Sequence, residues 1–261
     1  MGCSVRGASH VRAGSPNQDS IGWLETPDAG GGLLLALADG HGSAKCPRSE
    51  QGARFAVEAA KAVLGAADLE ALPELLVRRW REMVENHLKE EPLEVSRLEA
   101  VEQKLGRAAR CSVEADPWVA YGTTLLAAAV TGTSVLYLQL GDGDILTIAE
   151  NGEVSRPWAR DERLLGNETT SMATRDASSE IRIHVTREPE ELPELILLST
   201  DGYANSFREE GGFLAVGEDL LRMIRSEGVG PIQGNLEEWL REASEFGSGD
   251  DITAGILWRA A

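Results

Sequence analysis

The stretch Leu33-Leu34-Leu35-Ala36-Leu37-Ala38-Asp39-Gly40-His41-Gly42 runs from six apolar residues into an acid, two glycines and a histidine. An uninterrupted apolar run of this length reads as a buried strand. An acid at its end lacks internal compensation unless it meets a cation. Glycine on either side of His41 lets the backbone turn tightly and a ligand come close. Taken alone, the same pattern fits an ordinary strand-to-loop turn.

Four further acidic turns sit at the ends of apolar segments. Asn17-Gln18-Asp19-Ser20 precedes the alternating Ile21/Trp23 stretch, and Gly141-Asp142-Gly143-Asp144 joins the apolar residues 135–140 to 145–149. Thr200-Asp201-Gly202 ends residues 195–198, and Gly249-Asp250-Asp251-Ile252-Thr253 opens the last strand, 252–258. One Asp-Gly pair is usually only a turn. Carboxylates gathered from several strands repel one another and shift one another's protonation. A fold that collects them calls for hard divalent cations with oxygen ligands, typically Mg²⁺ or Mn²⁺.

Composition narrows the field. A chain of 261 residues suits one large domain, and no linker, repeat or low-complexity tract divides it. The net charge of −18, from 43 acidic and 25 basic residues, argues against nucleic acid or an anionic membrane surface as partner. Most of that excess reads as solvated surface, especially around residues 82–102 and 188–194. Cys3, Cys46 and Cys111 are odd in number, form no Cys-x-x-Cys pair, and none has Arg six positions on. Disulfide scaffolds, zinc sites and cysteine-dependent phosphate chemistry are therefore disfavoured. Early Arg6, His10 and Arg12 speak against a cleavable signal, and no stretch approaches the roughly 18 apolar residues of a membrane span. A cytoplasmic protein is expected.

Helical stripes run through Ala53, Ala56, Val57 and Ala60, then through Leu72, Leu76, Trp80 and Val84, with a noisier one through Val95, Leu98, Val101, Leu105 and Ala108. Residues 213–225 and 236–246 also read as helices, the second opened by a capping box of Asn235 and Glu238. The strands between them are separated by short turns, which predicts antiparallel pairing in a layered α+β fold.

The ordered set of Asn17-Gln18-Asp19-Ser20, Asp39-Gly40-His41-Gly42, Gly122-Thr123-Thr124, Gly141-Asp142-Gly143-Asp144, Asp201-Gly202 and Asp250-Asp251-Ile252-Thr253 resembles the metal-dependent protein serine/threonine phosphatases of type 2C. The likeness covers about residues 7–258, and residues 39–60 and 166–172 are most similar to a compact bacterial branch. It implies one domain over residues 1–261 in which a two-sheet antiparallel β-sandwich is flanked by helical layers, a four-layer αββα arrangement. It also implies two Mn²⁺ or Mg²⁺ ions held by Asp39, Asp201 and Asp250 with the Gly40 carbonyl, reached by Asp19 often through water. Asp142 would share a weaker third ion with Asp201. Asp251 stands where the family commonly has Asn and reads as a supporting group, an exchange of roles with Asp250 remaining open.

The activity so implied is hydrolysis of phosphoserine and phosphothreonine on proteins by a water activated between the metals, with Asp39, Asp201 and His41 as the catalytic residues. His41 would protonate the leaving oxygen, neighbouring carboxylates favouring its charged form, or else only order its turn. The family's phosphate-binding Arg, five residues before Asp19, is Gly14 here, which leaves Arg12 or His10 for that contact. A substrate-shaping flap is expected within residues 156–179. The implied partners are a phosphoprotein substrate and an opposing bacterial serine/threonine kinase, the chain being a monomer. Two other readings are a catalytically silent phosphoprotein-binding scaffold and an aspartyl-nucleophile phosphatase using Asp142-x-Asp144. The latter leaves Asp19 and Asp39 without a role.

Overall fold

The apolar run forms strand β3, Gly32–Ala38, and its lack of alternation has a packing cause. Leu34, Ala36 and Ala38 pack against helices, whereas Leu35 and Leu37 pack against a second sheet. Both faces of the strand are thus removed from water, so both must be apolar. The same division holds in β4, Leu125–Val130, where Leu125 and Ala127 join the helical side and Leu126 and Ala128 the inter-sheet side. The computed structural model describes residues 1–26, 32–64, 68–159, 161, 163 and 169–259.

Two five-stranded antiparallel sheets face each other. One has the order β2-β3-β4-β5-β8, adding β2 (Ser20–Thr26), β5 (Val135–Leu140) and β8 (Arg182–Thr186). The other has the order β1-β10-β9-β6-β7: β1 is Gly2–Val5, β6 Asp144–Ile148, β7 Val154–Ser155, β9 Leu195–Ser199 and β10 Ile252–Trp258. Helices α2 (Ser49–Val63) and α3 (Leu72–Glu90) cover the first sheet, and α8 (Glu210–Glu227) and α9 (Gly230–Ala243) the second. The result is the expected four-layer αββα sandwich. Between the sheets, Leu35, Leu37, Leu126, Tyr137, Ile196 and Leu198 form the central core. Gly255 of β10 is part of this fit, since a Cβ there would stand 2.7 Å from Leu35 Cδ2. No helix among the described residues is long and apolar enough to cross a membrane.

Three local expectations are corrected. The stripe expected from Val95 to Ala108 is broken at Gly106, whose φ of +86° ends α4 (Val95–Leu105) and starts α5 (Arg107–Ala115). Val95 and Leu105 are consequently exposed and Val101 carries the packing. Helix α9 begins at Gly230 with Pro231 in its first turn, so Asn235 lies inside the helix and donates to the Pro231 carbonyl at 2.7 Å instead of capping. The 141–144 turn is no hairpin: β5 pairs with β4 and β8, and β6 with β7 and β9, so this turn crosses from one sheet to the other.

Leu35 is 1 % exposed and touches the facing sheet, so Leu35→Ala is expected to cost about 2–5 kcal/mol in urea denaturation. Trp23, 53 % exposed on β2, is expected to cost less than about 1 kcal/mol when replaced by Ala. Equal losses would place the core elsewhere than between the sheets.

Candidate metal centre

Antiparallel pairing puts the end of one strand beside the start of its neighbour. Asp39 follows β3 while Asp19 precedes β2, and Ser20 pairs with Ala38. Asp201 follows β9 while Asp250 and Asp251 precede β10, and Ala254 pairs with Ser199. Asp142 lies in the crossing turn. Sheet topology alone therefore brings all the acidic turns to one end of the sandwich. There Asp39, Asp142, Asp201 and Asp250 line a common cleft of about 950 Å³, together with His10 and His41.

The Asp39 turn is fixed by the two threonines before β4. Asp39 N–H donates to Thr124 Oγ1 at 3.0 Å, while Thr124 N–H and Thr123 Oγ1 both donate to the Asp39 carbonyl at 2.8 Å. Glycine is required at position 40 because a Cβ would come within 2.7 Å of the Gln18 and Ser49 backbones. The Gly40 carbonyl accepts no hydrogen bond among the described residues. Asp201 opens the short helix α7, Asp201–Ala204, and its Oδ2 accepts from Asn205 Nδ2 at 2.9 Å. A Cβ on Gly202 would lie 2.2 Å from the Asp251 carbonyl, so the Asp201 turn sits directly on the backbone of the 250–251 turn.

Asp19 does not line the cleft. It is buried, with Oδ2 accepting from Thr200 Oγ1 at 2.9 Å and Thr253 Oγ1 at 2.7 Å, and its Oδ1 is buried without a hydrogen-bond partner. Asp250 and Asp251 are separated by their surroundings. The Asp251 side chain is 3 % exposed and accepts from Gly7 N–H at 2.6 Å, Gln18 N–H at 2.7 Å and His10 Nδ1 at 2.8 Å. Asp250, 53 % exposed, faces the cleft.

Burial, then mutual repulsion, governs the protonation of this group. Loss of water pushes Asp19 up to about 8, and the charges of Asp251 and Asp201 add to it against the opposing threonine hydroxyls. Asp201 is pushed up to about 6, first by burial and next by Asp142. Asp39 is raised well above its usual range by burial and by Asp19 and Asp201, and Asp142 is raised mainly by burial.

The donor set fits hard divalent cations: carboxylates that resist ionising together, an open carbonyl at Gly40, and an orphaned carboxylate oxygen on Asp19. Among the described residues, no three His, Cys, Asp or Glu side chains already surround one point at ligand spacing. The fit therefore rests on donor chemistry and convergence, not on a finished cage.

His41 departs from expectation. Its N–H donates to the Gly122 carbonyl at 3.0 Å and its ring packs against Gly122, where burial pushes it down to about 4. Among the described residues it forms no ion pair with a carboxylate, so burial works against the charged ring that the sequence suggested. Gly14 has a structural cause: at φ +72° it ends α1 (Ala8–Ala13), its N–H pointing to the His10 and Val11 carbonyls, a backbone that disfavours Arg. His10 lines the cleft but its Nδ1 is engaged by Asp251. Arg12 is exposed on α1, outside the described lining of the cleft.

Two lining cations, Lys45 and Arg175, escaped the sequence reading. Their closeness in sequence to His41 and to Met172 was the available signal. Of the expected flap at 156–179, residues 160, 162 and 164–168 lie outside the described residues. Its near end is tied by Arg156 to Asp144 at 2.6 Å and Glu210 at 2.7 Å, and its far end by Met172 N–H to the Thr123 carbonyl at 2.9 Å.

The fold is shared with bacterial proteins among solved structures, serine/threonine phosphatases among them. Stp1 from Staphylococcus aureus is 15 % identical with a TM-score of 0.60, over 100 % of this chain and 94 % of its own. PppA, a regulatory component of T6SS in Pseudomonas aeruginosa, is 17 % identical with a TM-score of 0.59, over 98 % and 95 %. The catalytic domain of PstP, solved with two manganese ions, is 20 % identical with a TM-score of 0.56, over 98 % and 95 %. No curated protein matches the chain. The sequence profile of protein phosphatase 2C matches residues 6–241, and the chain belongs to that family of metal-dependent protein serine/threonine phosphatases.

A carboxyl whose folded-state pKa is raised favours the native state while protonated. Its contribution is full below the ordinary value of 3.8 and is lost as pH climbs through about 6 for Asp201 and about 8 for Asp19. Metal-stripped protein is therefore expected to melt at lower temperature as pH rises from 5 to 8. Mn²⁺ should raise the melting temperature more at pH 8 than at pH 5, read by scanning calorimetry. A metal-free melting temperature flat across that range would mean that neither burial nor repulsion raises these carboxyls in the folded chain.

Proposed function

We propose that this chain, acting over residues 1–261 as one monomeric domain, hydrolyses phosphoserine and phosphothreonine on proteins. The observation that carries this reading is the convergence of Asp39, Asp142, Asp201 and Asp250 on one cleft, with the unpartnered Asp19 oxygen among their buried neighbours. Asp39, Asp201, Asp250 and the Gly40 carbonyl would hold two Mn²⁺ or Mg²⁺ ions, and Asp142 with Asp201 a weaker third. The two manganese ions of the PstP catalytic domain support the primary pair. Such ions supply an activated water and neutralise the phosphoryl oxygens during in-line displacement.

The chain's own residues do the remaining work. Asp19, its Oδ2 held by Thr200 and Thr253, would reach the ions through water from its unpartnered Oδ1, while Asp251 fixes the backbones of Gly7 and Gln18 and orients His10. Asp251 thereby turns the His10 ring so that Nε2 stands 3.7 Å from Asp250 Oδ1 at the cleft wall. His10 is the better placed of the two candidates for the phosphate contact, Arg12 lying on the exposed side of α1. His41, neutral in its buried position, offers a ring N–H to the leaving serine or threonine oxygen as charge develops there. The phosphoprotein substrate would be made by an opposing bacterial serine/threonine kinase in the cytoplasm.

Phosphate release from phosphothreonine peptides is expected to stop on chelation and return with Mn²⁺, and Asp39→Asn should lower kcat/KM on the order of a hundredfold or more. Thiol alkylation should leave the rate unchanged, because burial pushes the Cys46 thiol up to about 11. Full turnover after exhaustive chelation would overturn the reading, and tight metal binding without turnover would favour a silent binding domain. His41→Ala should slow phosphopeptides far more than p-nitrophenyl phosphate, whose leaving group needs little protonation. Equal losses on both, with weakened metal binding by calorimetry, would reduce His41 to ordering the Asp39 turn.

A further inference from the structure

Several arginines of the chain spend their charge on neighbouring carboxylates. Arg110 pairs with Glu102 and Glu114, Arg156 with Asp144 and Glu210, Arg163 with Asp161 and Glu180, and Arg225 with Glu194. Lys45 and Arg175 do not. Both side chains are exposed, both line the cleft that holds the acidic turns, and neither forms an ion pair or side-chain hydrogen bond among the described residues. In a chain of net charge −18, these two unpaired cations stand out in a cleft also lined by Asp39, Asp116, Asp142, Asp201 and Asp250.

Arg175 is held on an unusually well-anchored turn. Ser171 Oγ accepts from Thr123 N–H at 3.2 Å, Met172 N–H donates to the Thr123 carbonyl at 2.9 Å, and Thr174 Oγ1 donates to the Ser171 carbonyl at 2.8 Å. From the other side, Arg81 of α3 donates through Nη2 to the carbonyls of Thr174 at 2.7 Å and Arg175 at 3.2 Å, with its guanidinium 4.3 Å from the Trp118 ring centroid. Met172 and Ala177 are fully buried on either side of this turn. The Thr174 and Arg175 carbonyls are taken up within the fold, whereas the Arg175 side chain forms no bond among the described residues. Lys45 leaves a second small turn, closed by Cys46 N–H to the Ser43 carbonyl at 2.8 Å, four residues after His41.

Both cations come from the side of the cleft built on α2 and α3, whereas Asp201 and Asp250 come from the other sheet. A phosphoryl group drawn to the acidic end leaves the neighbouring residues of its peptide against the opposite wall, where Asp116 is the carboxylate that accompanies the two cations. We propose that Lys45 and Arg175 form a subsite for acidic side chains flanking the phosphorylated residue, so that the chain selects acidic phosphopeptides. This rests on the phosphatase reading. Arg81, stacked on Trp118, is the positioning residue that presents Arg175.

The test uses the full chain loaded with Mn²⁺ and two labelled peptides carrying a non-hydrolysable phosphonate analogue of phosphothreonine, one flanked by Asp and Glu, the other by Ala. Anisotropy should show the acidic peptide bound about fivefold to tenfold more tightly, with the preference shrinking as salt is raised. Lys45→Glu with Arg175→Glu should abolish that preference while changing affinity for the alanine-flanked peptide less than about twofold. The milder Lys45→Gln with Arg175→Gln serves if the reversal does not fold, and Arg175→Lys should retain most of the preference. Equal wild-type affinities, an unchanged preference in the variants, or equal weakening of both peptides, which would mean a contact to the phosphoryl group itself, each overturn the subsite. Turnover of the matching phosphopeptides separates the two levels. A wild-type chain that hydrolyses the alanine-flanked phosphopeptide without acidic preference overturns the subsite alone, and one that hydrolyses neither overturns the phosphatase reading with it.

Discussion

Repulsion among carboxylates is the constraint around which this molecule is organised. Asp19, Asp39, Asp142 and Asp201 all hold their protons above the ordinary carboxylate range because the fold withdraws water from them and sets them near one another. Nothing local would keep such a group together. What does so is the sandwich behind it, whose strands are pinned by apolar contact on both faces. The hydroxyls of Thr200, Thr253, Thr123 and Thr124 then fix oxygens and backbone at the strand ends. A rigid scaffold that holds like charges close is poised to take up cations, and the family to which the chain belongs depends on metal.

How much of this could be read from the chain depended on whether the cause was local. The run 33–38 and its terminal acid were legible because burial on both faces leaves a continuous apolar signature and the acid follows at once. Strand β1 was not: Gly2-Cys3-Ser4-Val5 shows no alternation and becomes a strand only by pairing with β10, some 250 residues away. Asn235 and Glu238 carried the pattern of a helix start, but Pro231 had already supplied one. At the site, the acidic turns were legible as a set because each sits at a strand end. Which way each side chain faces was not. Burial and hydrogen bonding separate Asp251 from Asp250, the wall at Gly122 neutralises His41, and the free charges of Lys45 and Arg175 appear only once the cleft is built.

The electrostatic layout also reconciles an acidic chain with an anionic substrate. Acidic residues outnumber basic ones 43 to 25, and the short-range pairs on the surface are worth little individually, so at a distance the molecule is negative. Among the described residues, Lys45 and Arg175 on the α2 and α3 side of the cleft keep positive charge that no ion pair takes up. Attraction of this kind acts within about a Debye length of ~8–10 Å at physiological salt. It discriminates among peptides already at the cleft and does little to gather them from solution.

The Asp251 carboxylate ties Gly7, His10 and Gln18 to a residue more than 230 positions later, and β1 finds its partner in β10. During synthesis the two ends of this arrangement emerge from the ribosome more than 230 residues apart. A nascent chain that has not yet released the segment up to Trp258 holds the Asp39 and Asp201 turns but has neither the Asp250 arm nor the brace for the first twenty residues. The acidic turns therefore converge only after β10 has been made, and a chain cut short before it lacks both the Asp250 arm and the Asp251 brace.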